Sequence, residues 1–249
     1  MEVVTNMTTP NRVRSTTRIV LLSLAGLAAT GTMQGSTITA HFDQVFTPEL
    51  IDRTVNNGAN WYTTDTGLFQ FTRTGGTFPG FQVSTFFAFC IEPREFVSPG
   101  STYTYNWSAL EQGTTNIGGM GTAKANLLRE LFGRYFPDFN AALDNVHGSA
   151  LQIATWEIVR ETSGTLDVYN GTTRYRNPQD AAALALAQTY VQSLNGQGPK
   201  LNNVLALTLV GAQDLIIQDK VLADIPTPEP GGMALMGLGL IGLAFIRRT

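Results

Sequence analysis

The segment Gln82–Ile91, reading QVSTFFAFCI, is the feature that most restricts the fold. Side chains alternate along a strand, so Val83, Thr85, Phe87, Phe89 and Ile91 share one face and Phe86, Ala88 and Cys90 share the other. Both faces are apolar near Cys90. Such a strand is internal, and the thiol of Cys90 is shielded.

Its neighbours repeat the strand signal. Thr37–Phe46, Leu68–Arg73 and Ser101–Trp107 alternate and are rich in aromatic and β-branched residues, with turn signals at Gly75-Gly76 and Pro79-Gly80. The period then changes. Thr122–Tyr135 places Ala123, Leu127, Leu128, Leu131 and Tyr135 on one helical face, and Pro137 ends it. A second helix is expected from about His147 to Glu161. A third is expected from Asn177 as N-cap, with Pro178 at the first helical position, to Leu194. Val204–Val210 and Asp214–Gln218 return to strand. The expected fold class is α+β: a β-sheet-rich domain, sandwich or barrel-like, with a helical insertion. It occupies residues 37–224, a size suited to one domain.

Composition narrows the function. Charged residues are 14 %, against the usual share of about a quarter, and the polar surface falls to Thr, Ser, Asn, Gln and 25 Gly. That balance suits a secreted β-rich protein better than a cytosolic enzyme. A net charge of −3 without an interior basic patch excludes nucleic-acid binding as the expectation. Two His and one Cys exclude a zinc finger, a Cys-rich metal site and an internal disulfide framework. No metal, cofactor or enzymatic turnover is therefore expected. The 43 % apolar content is enough to build a core.

Both ends read as addresses. Within residues 1–36, Arg12, Arg14 and Arg18 precede the short apolar run Ile19–Ala29, and small residues follow. This is the layout of a secretory signal peptide. The run is shorter than the roughly 20 residues a membrane-spanning helix needs. Residues 225–249 begin with Pro226, Pro228 and Pro230, a stiff extended spacer. Gly232–Ile246 is uncharged and mostly apolar, and Arg247 and Arg248 close the chain, as in a helix whose Arg side chains snorkel to the inner membrane face. Pro228-Glu229-Pro230, the apolar helix and the final Arg pair together resemble the PEP-CTERM sorting signal. That resemblance implies recognition by an exosortase-type processing enzyme and transient anchoring in the inner membrane. It further implies cleavage near Pro228–Pro230, then release to the outer surface or extracellular matrix of a Gram-negative bacterium.

Within the body, Cys90 and Gln152 are the pair that can carry chemistry. On the second helix Gln152, Trp156 and Val159 lie along one stripe, so the Gln152 amide enters the interior, where it needs partners. Cys90 in an aromatic-rich strand followed by Gln152-x-Ala154-x-Trp156 resembles the Cys-Gln thioester domain of bacterial surface adhesins. Leu151 stands where that family commonly has Thr. The Cys90 thiolate would attack the Gln152 side-chain carbonyl and expel ammonia. Backbone N–H groups near the start of the helix are candidate oxyanion donors, and Phe87, Phe89 and Trp156 would exclude water. An amine on a protein, or on an exopolysaccharide, would then open the thioester and leave the chain covalently attached. His147, about a turn before Gln152, is a candidate proton carrier. Glu92 and Glu157 are expected to be solvated.

Two other readings stand beside this one. In the first, Cys90 and Gln152 only pack, and the protein is a structural or carbohydrate-contacting matrix protein using Trp61, Tyr62, Tyr103, Tyr105 and Trp107. The second is a Cys90–His147 hydrolase. It ranks last, because no Gly-rich elbow surrounds Cys90 and no third residue orients His147.

Overall fold

The structure is a computed structural model that describes residues 36–78 and 84–219. The expected sorting tail lies outside these residues, as does the expected signal peptide apart from Ser36.

Six antiparallel strands close into a barrel. In chain order they are β1 (Thr37–Val45), β4 (Phe69–Gly75), β5 (Thr85–Cys90), β6 (Thr102–Ser108), β8 (Val204–Thr208) and β9 (Leu215–Gln218). Around the barrel the order is β1-β4-β5-β9-β8-β6, and β6 pairs back to β1. The interior is aromatic. Phe71 stacks between Phe42 and Phe86 at centroid distances of 4.9 and 5.4 Å, and Tyr105 meets Phe71 edge-on. Of the two expected architectures, closure selects the barrel, which leaves no open sheet edge.

The helices enter the chain between β6 and β8, which are neighbours in the barrel, so they form an insertion as expected. They are α1 (Gly121–Tyr135), α2 (Asn145–Arg160) and α3 (Ala181–Ser193). Helix α1 covers the outer face of β5. Phe89 packs on Phe132 at 5.3 Å, on Phe139 at 5.7 Å and on Phe136 at 6.1 Å. The inner face of β5 is thereby buried in the barrel, and its outer face is covered at Phe89, while Phe87 nearer its start is partly buried beside Phe46.

Three short strands were not legible in the alternation. β2 (Glu49–Thr54), β3 (Tyr62–Thr66) and β7 (Arg174–Arg176) form a separate sheet in the order β3-β2-β7. It ties the β2–β3 hairpin to the helical insertion. The start of α3 also differs from the expectation. Asp180, not Asn177, is the N-cap, and its carboxylate accepts the Ala182 N–H at 2.8 Å. Asn177 instead adopts a left-handed backbone with φ of 49°, and its amide donates to Asp52. Pro178 therefore lies in the turn before the helix.

Candidate functional site

Helix α2 brings Gln152 to the end of β5. Asp144 starts the helix by accepting the His147 N–H at 2.8 Å. At its far end the Lys124 ammonium donates to the Val159 and Glu161 carbonyls. Two small residues set its depth. A Cβ at Gly148 would collide with the Thr47 hydroxyl, and the Ser149 hydroxyl is bonded to Thr66 at the end of β3. Every residue from Gly148 to Val159 is buried.

Sheet geometry leaves a vacancy that Gln152 fills. The Ile91 N–H donates to Asp214 O, toward β9. Backbone groups alternate in direction along a strand, so the N–H and C=O of Cys90 point to the opposite edge. There β4 begins only at Phe69, opposite Ala88, and offers no partner for Cys90. The Gln152 side-chain amide takes that place. The Cys90 N–H donates to Oε1 at 3.0 Å, and Nε2 donates to the Cys90 carbonyl at 2.6 Å. Both residues are 0 % exposed. The contact between the two residues is therefore one between the Gln152 amide and the Cys90 backbone.

The sulfur sits in a dry, partly charged surrounding. The Glu92 N–H donates to Cys90 Sγ at 3.3 Å. Burial pushes the Cys90 thiol up to about 12. The Trp156 indole, the Glu92 N–H and the Arg53 cation pull the other way. The indole acts from a geometry short of a regular hydrogen bond, for Trp156 Nε1 has no hydrogen-bond partner. Ala154 and Trp156 are both buried on the same helix.

Several expectations are corrected. Glu92 and Glu157 are not solvated; both are fully buried. Burial, with Asp214 and Glu95 adding and Arg160 opposing, pushes Glu92 up to about 7. Burial pushes Glu157 up to about 8. The first N–H groups of α2 are not near the Gln152 amide, which lies about two turns into the helix; the donor that reaches Oε1 is the Cys90 N–H. His147 is about half exposed, and its Nδ1 bonds Asp144 at 2.8 Å. The structure therefore brings Cys90, Gln152, Ala154 and Trp156 together and places His147 in a surface capping pair. Tyr105 and Trp107 are core residues. The Trp61 ring is covered by Arg176 at 3.9 Å, and Tyr103 is half-buried, its hydroxyl accepting the Ser98 N–H. Tyr62 alone of the five is largely exposed.

Sequence reasoning missed Arg53. It is 3 % exposed and stands over the Trp156 ring at 5.4 Å. Its strand, β2, turns Glu49, Ile51 and Arg53 inward and Leu50 outward, so two of its three inward residues are charged. Among the described residues there is no group of three or more His, Cys, Asp or Glu arranged to hold a metal ion, and no helix long and apolar enough to cross a membrane.

Comparison with known proteins decides the tail. Residues 226–248 match the PEP-CTERM protein-sorting motif. No match to the chain was found among curated proteins or solved structures. The PEP-CTERM match spans Pro228, Glu229 and Pro230 as well as Arg247 and Arg248. A chain bearing this motif is an exported protein of a Gram-negative bacterium, processed by an exosortase and sorted to the cell surface. The match covers the PEP-CTERM tail and leaves Cys90 and Gln152 outside it.

Proposed function

We propose that this exported protein attaches itself covalently to amine-bearing partners through an internal thioester between Cys90 and Gln152. The single observation that carries the reading is the two-point grip of the Cys90 backbone on the Gln152 amide. It fixes the carbonyl beside the residue that bears the only thiol in the chain, as a near-attack arrangement requires. The amide lies along the hydrogen-bonding edge of β5, and side chains stand roughly perpendicular to a sheet.

The surroundings suit each step. In forming the bond, sulfur joins the Gln152 carbonyl carbon and the C–N bond breaks. The thiol proton leaves with Nε2 as ammonia. The Cys90 N–H on Oε1 is the donor for the developing oxyanion. Glu92, whose backbone N–H reaches the sulfur and whose buried carboxyl is pushed up to about 7 beside Arg160, is a better candidate than His147 for carrying the proton. Full burial keeps water from the product. An amine from a surface protein or an amino sugar then attacks, forms an amide and frees the thiol, once per molecule. Release from the inner membrane by the exosortase would place the domain on the outer surface or in the extracellular matrix. The burial of Cys90 and the surface pairing of His147 weigh against a hydrolytic pair.

Mass spectrometry of the exported mature chain tests the reading. The expected mass is lighter than the sequence by one ammonia. Methylamine adds at Gln152, leaving a methylamide one methylene heavier than the encoded chain, and releases one thiol; Cys90→Ala abolishes both effects. An unmodified mass with a freely titrating thiol overturns it, leaving Gln152 as a structural plug for the end of β5.

A further inference from the structure

Arg53 is a buried cation without a carboxylate. Among the described residues no Asp or Glu oxygen lies within ion-pair distance of it, and its Nε has no hydrogen-bond partner. The guanidinium stands over two rings, Trp156 at 5.4 Å and Phe96 at 6.0 Å. Phe96 is 62 % exposed and Trp156 is 1 % exposed, so the cluster runs from solvent to the interior. Trp156 stands one turn beyond Gln152 on α2 and lies beside the Cys90 sulfur. A thiolate at Cys90 would attract this cation. The other charged or ionisable groups facing it are Tyr175, Tyr62 and Arg160, the last of which repels it.

A buried charge lacking its own counter-ion is costly, and the cost falls where a negative charge appears opposite it. In the thioester cycle that charge appears on sulfur twice: when the thiol gives up its proton to attack Gln152, and when an incoming amine expels the sulfur. In the second step a C–N bond forms and the C–S bond breaks. A proton from the amine ends on the sulfur, so no oxidant, reductant or metal enters the balance. We propose that Arg53, standing over Phe96 and Trp156, is the positioning residue that stabilises the negative charge on the Cys90 sulfur in both steps. This rests on the thioester reading above.

The test uses the full-length chain expressed in an exporting Gram-negative host that carries an exosortase, as wild type, Arg53→Lys and Arg53→Met. The readouts are intact mass, the rate of thiol release by methylamine and the melting curve. The expected result is an ammonia deficit in wild type and release slowed about tenfold or more in Arg53→Met. Arg53→Lys, which keeps the charge, recovers most of the rate. Arg53→Gln replaces Arg53→Met if the latter does not fold. Equal rates in wild type and the uncharged variant overturn the proposal. So does a Lys variant as slow as the uncharged one, because the role of Arg53 is then packing. A wild type without the ammonia deficit overturns the thioester reading itself, and this inference with it.

Discussion

Helix α2 carries two polar pairings less than two turns apart, and they differ in almost every physical respect. At its first turn Asp144 and His147 meet with side chains 65 % and 51 % exposed. Further along, Gln152 meets the Cys90 backbone with no exposure at all. The surface pair exchanges water for protein at little net gain, because solvent would satisfy either partner alone. The interior pair has no such alternative. Two backbone groups of β5 and one amide depend on each other, and removing one partner strands the rest. The contrast teaches which of two neighbouring polar residues a sequence can afford to lose.

The sharpest way to break this contrast is Gln152→Ala. The variant leaves the Cys90 N–H and C=O without partners and opens a cavity at the end of β5. A loss of about 2–5 kcal/mol is expected, read as a fall in the urea midpoint. A loss below about 0.5 kcal/mol would place Gln152 with surface substitutions and remove the distinction.

Glu157 extends the comparison to a buried group that ionises. Its folded value is pushed up to about 8 by burial, against an ordinary 4.5. Glu161 and Asp167 add to the shift, while the Asp167 N–H and Lys124 oppose it. A carboxyl raised in this way contributes stability that is fully present below 4.5 and is lost as pH rises through about 8. Glu92, raised to about 7, acts in the same direction. Stability should therefore fall between pH 5 and pH 9 by an amount on the order of a few kcal/mol. Glu157→Gln should flatten the fall. Urea midpoints across that range decide it, and a midpoint rising toward pH 9 contradicts the assignment.

How much of this was legible follows from the same physics. The barrel strands and α1 were readable because their apolar residues recur at the period of the element, as in Phe86 and Ala88 inside β5 and Leu128 and Leu131 on α1, whereas α3 was readable from its local start signal. β2 was not, because Glu49 and Arg53 occupy its inner face while Leu50 faces solvent. β3 is mostly exposed and polar, and β7 has three residues, so neither offers a period to read. Cys90 and Gln152 were joined in the sequence only through a resemblance, while the backbone contact between them depends on how α2 meets the end of β5. Arg53 and the burial of Glu92 were not legible, since both depend on contacts between segments far apart in sequence. The N-cap of α3 was misplaced because Asn177-Pro178 carries a strong local start signal, whereas Asp180 does the capping.

The smallest effects belong to the exposed pair, and they separate its two members. Asp144→Ala removes the acceptor for the His147 N–H and should cost about 1 kcal/mol, the ordinary worth of an N-cap. His147→Ala removes only the imidazole, since the backbone N–H that Asp144 caps is still present. Its cost should be at most about 0.5 kcal/mol. Because its ring is bound to Asp144 at the surface, the variant should also leave the ammonia deficit and the methylamine reaction unchanged. A His147→Ala chain that folds with a normal melting curve yet fails to lose ammonia would restore the histidine as proton carrier. It would then move the mechanism away from Glu92.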